Sequence, residues 1–379
     1  MYKRADGTEV CKFVYLDMEE YKDLAITAEA FMDTLDRKGL AQARGGIALQ
    51  AYVPDSYIWQ QKINEWARKR VAAGGTPVTV RLVKGANMES ERAEASQRGW
   101  PQGPYKDKLS TDANFHRMLH AAMQPENIEA VHVGIASHNL FELAYALVLA
   151  ADGGCLDKLQ FEMLEGMANH IRRALFELTE NFVLYAPATK KEDFLNAIGY
   201  LVRRLDENTG PDNFLSHAFK LVPGDDEWRR LEKQFYDSFE AVETTPFTPR
   251  RTQDRRQPVE PAISDDSEPF DNEPDTDFAL LQNVEWANGI IDAWQDRHGE
   301  QAAEVPISVG GEEILDDRDI RESLDPSRPG VVVARYRMAT EEDVMCAVDV
   351  AQQDPTGWRT MSSKEHSAIL GKAAHELRV

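Results

Sequence analysis

Short apolar runs alternate with segments of helical spacing between residues 13 and 206. The runs lie at 13–18, 46–53, 78–83, 130–135, 159–164 and 182–186. Each is followed by a segment in which apolar residues recur every three or four positions, for example 21–35, 57–71 and 141–149. Six repeats of strand and helix predict a parallel sheet, and runs that are apolar on both faces are typical of strands covered by helices.

This pattern favours an incomplete (β/α)8 barrel over an open dinucleotide-binding sheet. No glycine-rich phosphate loop follows the first strand, so the dinucleotide fingerprint is missing. Too few residues precede that strand to form the two further βα units that a closed barrel needs. We therefore expect an α/β, TIM-like barrel without its first two units. Polar residues stand at the predicted strand ends, where barrel enzymes carry their chemistry: Asp17, Glu19, Gln50, Lys84, His138 and Glu162.

The composition changes after about residue 220, which indicates a second domain. Residues 241–276 are rich in Pro, Thr, Asp, Glu and Arg, as in a linker. Helical patterns at 278–298 and 341–353 then flank a β-rich stretch at 330–336. We expect a barrel at 1–225, a helix and linker at 226–270, and the start of another α/β domain at 271–379. Both ends of the chain look cut.

Charge and composition exclude several classes of function. The 379 residues carry a net charge of −22, which argues against binding the backbone of a nucleic acid. The sequence has no apolar run long enough to span a membrane and no signal peptide, although it leaves peripheral membrane contact open. Three scattered cysteines match neither disulfide nor zinc spacing, and the predicted location is the cytoplasm.

A helical stripe near residue 200 is the most informative candidate site. Tyr200, Arg203, Arg204 and Glu207 fall on one face of the predicted helix. Two guanidinium groups suit the binding of a small carboxylate, and the glutamate can hold them in place. The alternative is a solvated helix face with an Arg–Glu pair.

Three other segments offer candidate chemistry. Arg81 and Lys84 with the glycine that follows suit an anionic group, whereas Lys84 alone could form a Schiff base as in an aldolase, or merely end a strand. His138 follows a strand and could contact a cofactor, act as a base or be structural, and no second ligand stands at metal spacing. The loop residues Lys106, Lys108 and Thr111 could contact phosphate or simply be solvated.

Seven motifs, in order along the chain, resemble the proline dehydrogenase domain of the proline utilization A family. They are Leu-Asp-Met-Glu (16–19), Leu-Gln-Ala-Tyr (49–52), Arg-Leu-Val-Lys-Gly-Ala (81–86), Ala-Ser-His-Asn (136–139), Phe-Glu-Met-Leu-Glu-Gly-Met (161–167), Tyr-Ala-Pro (185–187) and Tyr-Leu-Val-Arg-Arg-Leu-Asp-Glu-Asn (200–208). Residues 275–287 and 329–352 resemble the start of the family's second domain, an NAD-dependent aldehyde dehydrogenase.

The resemblance implies roles for individual residues. Arg203 and Arg204 would bind the carboxylate of L-proline, Leu164, Tyr185 and Tyr200 would line the ring pocket, and Asp17 would be the acid near substrate and flavin. FAD would be held by Gln50, Arg81, Val83, Gly85, Ala86, Lys106, Lys108, Thr111, Ala136, His138, Asn139, Glu162, Leu164 and Glu207. The sequence departs from many relatives at Asn87-Met88, where they place aromatic residues, and at Glu162, where others carry glutamine.

The resemblance also implies partners. Proline would be oxidised to Δ1-pyrroline-5-carboxylate, a membrane quinone would accept the electrons, and the intact two-domain enzyme would oxidise glutamate semialdehyde with NAD. The family's lysine on an early strand is missing here, and Cys346 is in the wrong context for the aldehyde dehydrogenase nucleophile. The alternative is an inactive fragment that needs a complementary chain; a homo-oligomer is also open.

Overall fold

The computed structural model describes residues 2–10, 12–210, 213–257 and 272–378, and the side chains of residues 2, 10, 203, 205–209 and 378 lie outside that description. Cys11 and residues 258–271 of the predicted linker are therefore outside it as well. Contacts divide the chain into two compact units, Met1–Thr252 and Gln253–Val379.

A parallel sheet forms the centre of the first unit. A hairpin of β1 (Tyr2–Lys3) and β2 (Glu9–Val10) precedes it. Within the described residues the sheet has six strands in chain order: β3 (Phe13–Leu16), β4 (Arg44–Gln50), β5 (Val78–Val83), β6 (Val131–Ala136), β7 (Leu159–Leu164) and β8 (Phe182–Tyr185). Every neighbouring pair is parallel. The predicted fold class, an incomplete TIM-like barrel, is confirmed.

The strand bounds differ from the predicted ones where polar residues intervene. Strand β3 ends at Leu16 rather than at Met18, because Asp17 leaves the ladder and forms an ion pair with Arg81. Strand β4 begins at Arg44 and already ends at Gln50, because the next residues turn into a helix that starts at Asp55. Strands β5 and β7 have the predicted bounds.

Helices connect the strands and cover the sheet. They are α1 (Leu24–Leu35), α2 (Asp55–Ala72), α3 (Met88–Arg98), α4 (Lys108–Ala122), α5 (Pro125–Ile128), α6 (Leu140–Asp152), α7 (Asn169–Leu178), α8 (Phe194–Thr209), α9 (Phe214–Ala218) and α10 (Asp226–Glu240). The side chains of Asp107, Asn139 and Asp225 cap α4, α6 and α10 by accepting a hydrogen bond from the first turn. Such caps satisfy backbone N–H groups that have no partner inside the helix.

The core lies between the sheet and these helices. Ile47, Val80 and Leu82 on the strands are inaccessible to solvent, as are Phe115 and Met118 on α4. Burying a side chain of this size contributes roughly 1.5–3 kcal/mol to folding. Strand packing therefore fixes the carboxyl edge of the sheet, where the polar residues stand.

Helix α10 and the twelve residues after it complete the first unit. Phe235 and Phe239 of α10 pack against His116 of α4, with the His116 and Phe239 rings stacked at 3.9 Å. Residues 241–252 fall in the predicted linker, yet Thr245 and Arg251 are buried. The first compact unit thus ends at residue 252. The three predicted domain ranges stay a prediction.

The second unit combines helices with short strands. Its elements are α11 (Leu281–Trp294), β9 (Ala303–Val305), β10 (Ile307–Val309), β11 (Glu312–Ile314), β12 (Ile320–Leu324), β13 (Val332–Arg337), α12 (Glu341–Gln353) and α13 (Ser363–Arg378). Strands β12, β13 and β9 form one sheet and β10 pairs with β11. Thr340 and Asp343 form a capping box at the start of α12. Arg318 donates from Nε and Nη2 to the two carboxylate oxygens of Asp343, each at 2.7 Å. That guanidinium holds the pKa of Asp343 well below its usual range.

None of the helices in the described part of the chain is both long and apolar enough to cross a membrane.

Candidate active site

The carboxyl edge of the parallel sheet gathers the polar residues predicted there. Because neighbouring strands run in one direction, their carboxyl ends meet at the same edge. Asp17 follows β3, Gln50 ends β4, Lys84 follows β5 and Tyr185 ends β8. Glu162 stands two residues before the end of β7, and its side chain is buried.

Arg81 is the centre of this edge. Its Nε lies 2.5 Å from Oε2 of Glu162 and its Nη1 lies 2.5 Å from Oδ1 of Asp17. The guanidinium carbon stands 4.0 Å from the centre of the Tyr15 ring. The Tyr15 hydroxyl donates to Oε1 of Glu162 at 2.7 Å. Burial, reinforced by the Glu162 charge, raises the pKa of Tyr15. Arg81, Asp17, Glu162 and Tyr15 form one ionic cluster, which is called the floor of the site.

Two features of this cluster were missed from the sequence. Tyr15 belongs to an apolar run, yet it stands two positions before Asp17, the acid that follows β3, and this two-residue spacing was the available signal. Gly134 of β6 leaves the space that Glu162 occupies, because a Cβ there would stand 2.2 Å from Oε1 of Glu162. The glycine and the carboxylate therefore fit each other across the sheet.

Helix α8 brings Tyr200 and Arg204 to the same edge. The ring centres of Tyr185 and Tyr200 are 6.3 Å apart, and the Arg81 guanidinium lies 6.0 Å from the Tyr185 ring. Arg204 lies 5.3 Å from the Tyr200 ring and pairs with Glu19 at 3.6 Å. The structure thus gathers two cations and two tyrosine rings. The side chains of Arg203 and Glu207 lie outside the described residues.

His138 connects two strand ends. Its Nε2 accepts a hydrogen bond of 3.2 Å from the backbone N–H of Leu164. Burial and the nearby charge of Arg204 lower the pKa of His138 to about 4. The imidazole is therefore neutral near pH 7. Ala136 ends β6 just before it, and Asn139 uses its side-chain oxygen to cap α6.

The loops above β4 and β5 bring backbone close to the edge. Gly85 has a φ of +123°, and a Cβ there would stand 2.4 Å from the Tyr52 ring. The carbonyls of Val83 and Lys84 accept hydrogen bonds from the backbone N–H groups of Ala51 and Tyr52. Ala86 continues this turn. A side chain at Gly85 would push the turn away from Tyr52, so glycine suits the position.

The predicted phosphate contacts surround the start of α4. Lys106 precedes the capping residue Asp107, Lys108 begins the helix, and Thr111 donates from its hydroxyl to the Asp107 carbonyl at 3.2 Å. Lys106 also lines a cleft of about 260 Å³ together with Arg250. Burial and the charge of Lys84 lower the pKa of Lys108, although Asp112 accepts a hydrogen bond from it.

Lys84 belongs to a second, buried ionic cluster. Its ammonium donates to Asp112 at 2.6 Å and to Glu142 at 2.9 Å. Glu142 also bonds Nε2 of His116 at 2.8 Å, and Nδ1 of His116 lies 3.2 Å from the Ser238 hydroxyl. The sequence showed no sign of this chain of contacts, since its members are distant in sequence.

The cluster argues against the aldolase alternative. Burial opposes the charged ammonium, but the carboxylates of Asp112 and Glu142 outweigh burial and raise the pKa of Lys84. A Schiff base requires a neutral amine, so Lys84 is poorly suited to form one.

The described residues contain no group of three or more His, Cys, Asp or Glu side chains able to hold a metal ion.

The protein is an open α/β barrel that carries ionic and aromatic side chains at the carboxyl ends of its strands. This arrangement is typical of barrel enzymes, which bind small ligands at this edge. The proline dehydrogenase family model matches residues 1–217, which is more than half of the chain. The chain belongs to the proline dehydrogenase family, as its motifs predicted.

Individual relatives agree with this assignment. The bifunctional protein PutA of Salmonella typhimurium is 25% identical over 383 residues, covering 95% of this chain and 26% of the relative. The crystal structure of proline utilization A from Bdellovibrio bacteriovorus, inactivated by N-propargylglycine, matches with a TM-score of 0.71 and 29% identity, over 92% of this chain and 33% of that one. These matches support a proline dehydrogenase of the proline utilization A family.

A third relative has a different activity in its name. The 1-pyrroline-5-carboxylate dehydrogenase of Staphylococcus haemolyticus is 31% identical over 110 residues, or 29% of this chain and 21% of the relative. The chain therefore spans 21–26% of the length of these two curated relatives.

Proposed function

We propose that the chain oxidises L-proline to Δ1-pyrroline-5-carboxylate with FAD bound at the carboxyl ends of the six strands. The observation that carries the proposal is the convergence of Arg204, Tyr200 and Tyr185 beside the Arg81–Asp17 ion pair. A guanidinium group next to two aromatic rings matches a small amino acid that has one carboxylate and an apolar ring. Family membership supports the same reaction.

The roles proposed for the substrate residues follow from their positions. Arg204, with Arg203 next to it on α8, would bind the carboxylate, and Glu19 would hold Arg204 in place from 3.6 Å. Tyr185, Tyr200 and Leu164 would line the pyrrolidine ring. Asp17 would fix Arg81 below the substrate. Orientation of this kind is the protein's main contribution when a cofactor carries the redox chemistry.

Two observations at the strand ends fit a flavin. The Oε1 atom of Gln50 is buried without a hydrogen-bond partner among the described residues, so a ligand donor could satisfy it. Gly85 places no side chain on the turn after β5, so the turn can lie close to the Tyr52 ring. When bound, FAD would supply the oxidising power by taking up the hydride that leaves C5 of proline, while the ring nitrogen loses a proton.

The remaining cofactor contacts are proposed from the same edge of the sheet. Lys106, Lys108 and Thr111 would hold the phosphates, and His138 would present a neutral imidazole from the end of β6. Further contacts to FAD are proposed for Arg81, Val83, Ala86, Ala136, Asn139, Glu162, Leu164 and Glu207.

The second unit is proposed to be the start of an aldehyde dehydrogenase domain. The motifs at 275–287 and 329–352, which resemble the start of such a domain, support this role, and so does the similarity of 110 residues of the chain to a 1-pyrroline-5-carboxylate dehydrogenase. In an intact two-domain enzyme the imine product would hydrolyse to glutamate semialdehyde, which NAD would then oxidise. A membrane quinone as electron acceptor, peripheral membrane contact and a homo-oligomer belong to the same proposal.

The test is the visible absorption of the purified chain after FAD has been added, excess removed and proline supplied without oxygen. We expect a retained flavin spectrum that bleaches with proline. A protein that stays colourless would contradict the proposal and favour an inactive fragment that needs a complementary chain.

A matched pair of variants separates substrate binding from cofactor binding. Arg204→Met should keep the flavin spectrum but require about 10- to 150-fold more proline for bleaching, because a hydrogen-bonded ionic contact is lost. Arg229→Met, on the exposed face of α10, is the control and should behave like the unaltered chain. An equal proline requirement in both variants would refute the role of Arg204.

A further inference from the structure

Residues 241–252, called the strap below, run from the end of α10 across helix α4 and the loop at 99–107. Arg117 of α4 anchors the start of the strap: its Nη2 donates to the Thr245 carbonyl at 2.6 Å and also to that of Val242. The Arg117 guanidinium lies 5.0 Å from the Phe247 ring, which packs edge-on against Tyr57 of α2 at 5.3 Å. The strap is therefore bound to the helical layer along its first half.

From Pro246 onward the strap also binds the loop at 99–107. The Tyr105 hydroxyl donates to the Pro246 carbonyl at 2.6 Å. Arg251 donates from Nε to the Pro101 carbonyl at 3.0 Å, and Arg250 donates from Nη1 to the Pro104 carbonyl. Three points along one loop are thus hydrogen-bonded to one segment that is distant in sequence.

Arg251 makes this attachment more than a surface contact. Only 3% of the residue is exposed, and its guanidinium lies 4.5 Å from the Tyr21 ring and 4.8 Å from the Trp100 ring. Glu91 stands 3.7 Å from its Nη2. A buried charge is costly unless its surroundings compensate it, and here two aromatic faces, a carboxylate and a loop carbonyl do so. The loop conformation and the strap are therefore fixed together.

We propose that the strap positions the loop for cofactor phosphates. The loop carries Lys106 and leads directly into Lys108 and Thr111 at the start of α4. The inference rests on the proposed function, because those three residues are proposed there to hold the phosphates of FAD. The strap residues Pro246 and Arg251 act through the loop, as positioning residues.

The experiment uses the full chain with Tyr105→Phe, which removes only the hydroxyl that binds the strap. Tyr236→Phe, on the exposed side of α10, is the matched control. Hydrogen exchange of the peptide at 99–108 is measured without added flavin. FAD and riboflavin, which lacks phosphates, are then titrated by flavin fluorescence. Arg251→Gln is the stronger second variant.

We expect faster exchange at 99–108 and about three- to tenfold weaker FAD binding in Tyr105→Phe, the range for one lost hydrogen bond, with riboflavin binding unchanged. Exchange or FAD affinity equal to that of the control would overturn the inference. An equal loss for riboflavin would also overturn it, since the strap would then support the whole fold. If the unaltered chain binds no FAD, the proposed function fails first, and the strap loses its cofactor role with it.

Discussion

Replacing Arg81 by methionine tests whether the floor of the site depends on charge pairing. The Arg81 side chain is 10% exposed and that of Glu162 is 3% exposed, so their 2.5 Å contact is shielded from water. Methionine keeps much of the apolar volume but removes the positive charge. Among the described residues, Glu162 would then be a buried carboxylate that keeps only the Tyr15 hydroxyl at 2.7 Å and the Gln160 amide at 2.9 Å as donors.

The expected loss of unfolding free energy is about 3 kcal/mol. Removing one partner of a buried ion pair costs roughly 3–5 kcal/mol, and the two remaining donors place this case at the lower end. Asp17, the second partner of Arg81, is 46% exposed, so water can solvate it and its share is at most about 1 kcal/mol. The double variant Arg81→Met with Glu162→Gln removes the unpaired charge and should recover about half of the loss.

The assay is urea unfolding in which hydrogen exchange of the peptides that cover β5 and β7 is the readout. These strands report on the first unit alone. Arg229→Met is the control and should change stability by less than about 0.5 kcal/mol, since its side chain is 71% exposed. A double variant that is no more stable than Arg81→Met would refute the reasoning, because the cost would then not come from an unpaired carboxylate.

Three further predictions concern single positions. In urea unfolding, Gly85→Ala should destabilise the first unit more than Gly74→Ala. Both glycines have a positive φ, where the strain of an alanine costs about 1–3 kcal/mol, but only at position 85 would the added Cβ also clash with the Tyr52 ring. The pKa of His138 is about 4 in the folded protein and about 6.5 in the unfolded chain, so the free energy of unfolding should rise with pH between these two values. His138→Gln should flatten this dependence of the unfolding free energy on pH, and an unchanged dependence would be contrary evidence. Thr340→Ala should cost about 1 kcal/mol through its lost cap on α12, seen as faster exchange there but not in α11.

The sheet could be predicted because most of its strands are near-continuous apolar runs. Thr76-Pro77 precede β5 and Lys84-Gly85 follow it, so both of its ends carried a local signal. Where the signal was a single polar residue, the bounds slipped: the first predicted run extends across Asp17 to Met18, although the ladder ends at Leu16. The hairpin of β1 and β2 and the strands β9 to β12 were too brief to show a periodicity, whereas β13 largely coincides with the β-rich stretch predicted at 330–336.

The site could be predicted only where residues follow strand ends or share a helix face. Tyr200 and Arg204 are four positions apart, so their proximity is a local property of α8. Tyr15 and His116 were missed because their partners, Glu162 and Glu142, come from distant parts of the chain. The strap was missed because its prolines and arginines resemble a linker in composition, although Arg251 is buried.

Helix α10 and the strap have a consequence for how this chain can be divided and recombined. The last βα repeat ends with α8, so a repeat-based division would cut near residue 210. Such a cut would remove Ser238 and Phe239 from His116 and would release the loop at 99–107 from Pro246. A gene fusion, circular permutation or recombination breakpoint that preserves the module must therefore lie beyond residue 252, where the compact unit ends. The module that can be exchanged between proteins is longer than the barrel repeat itself.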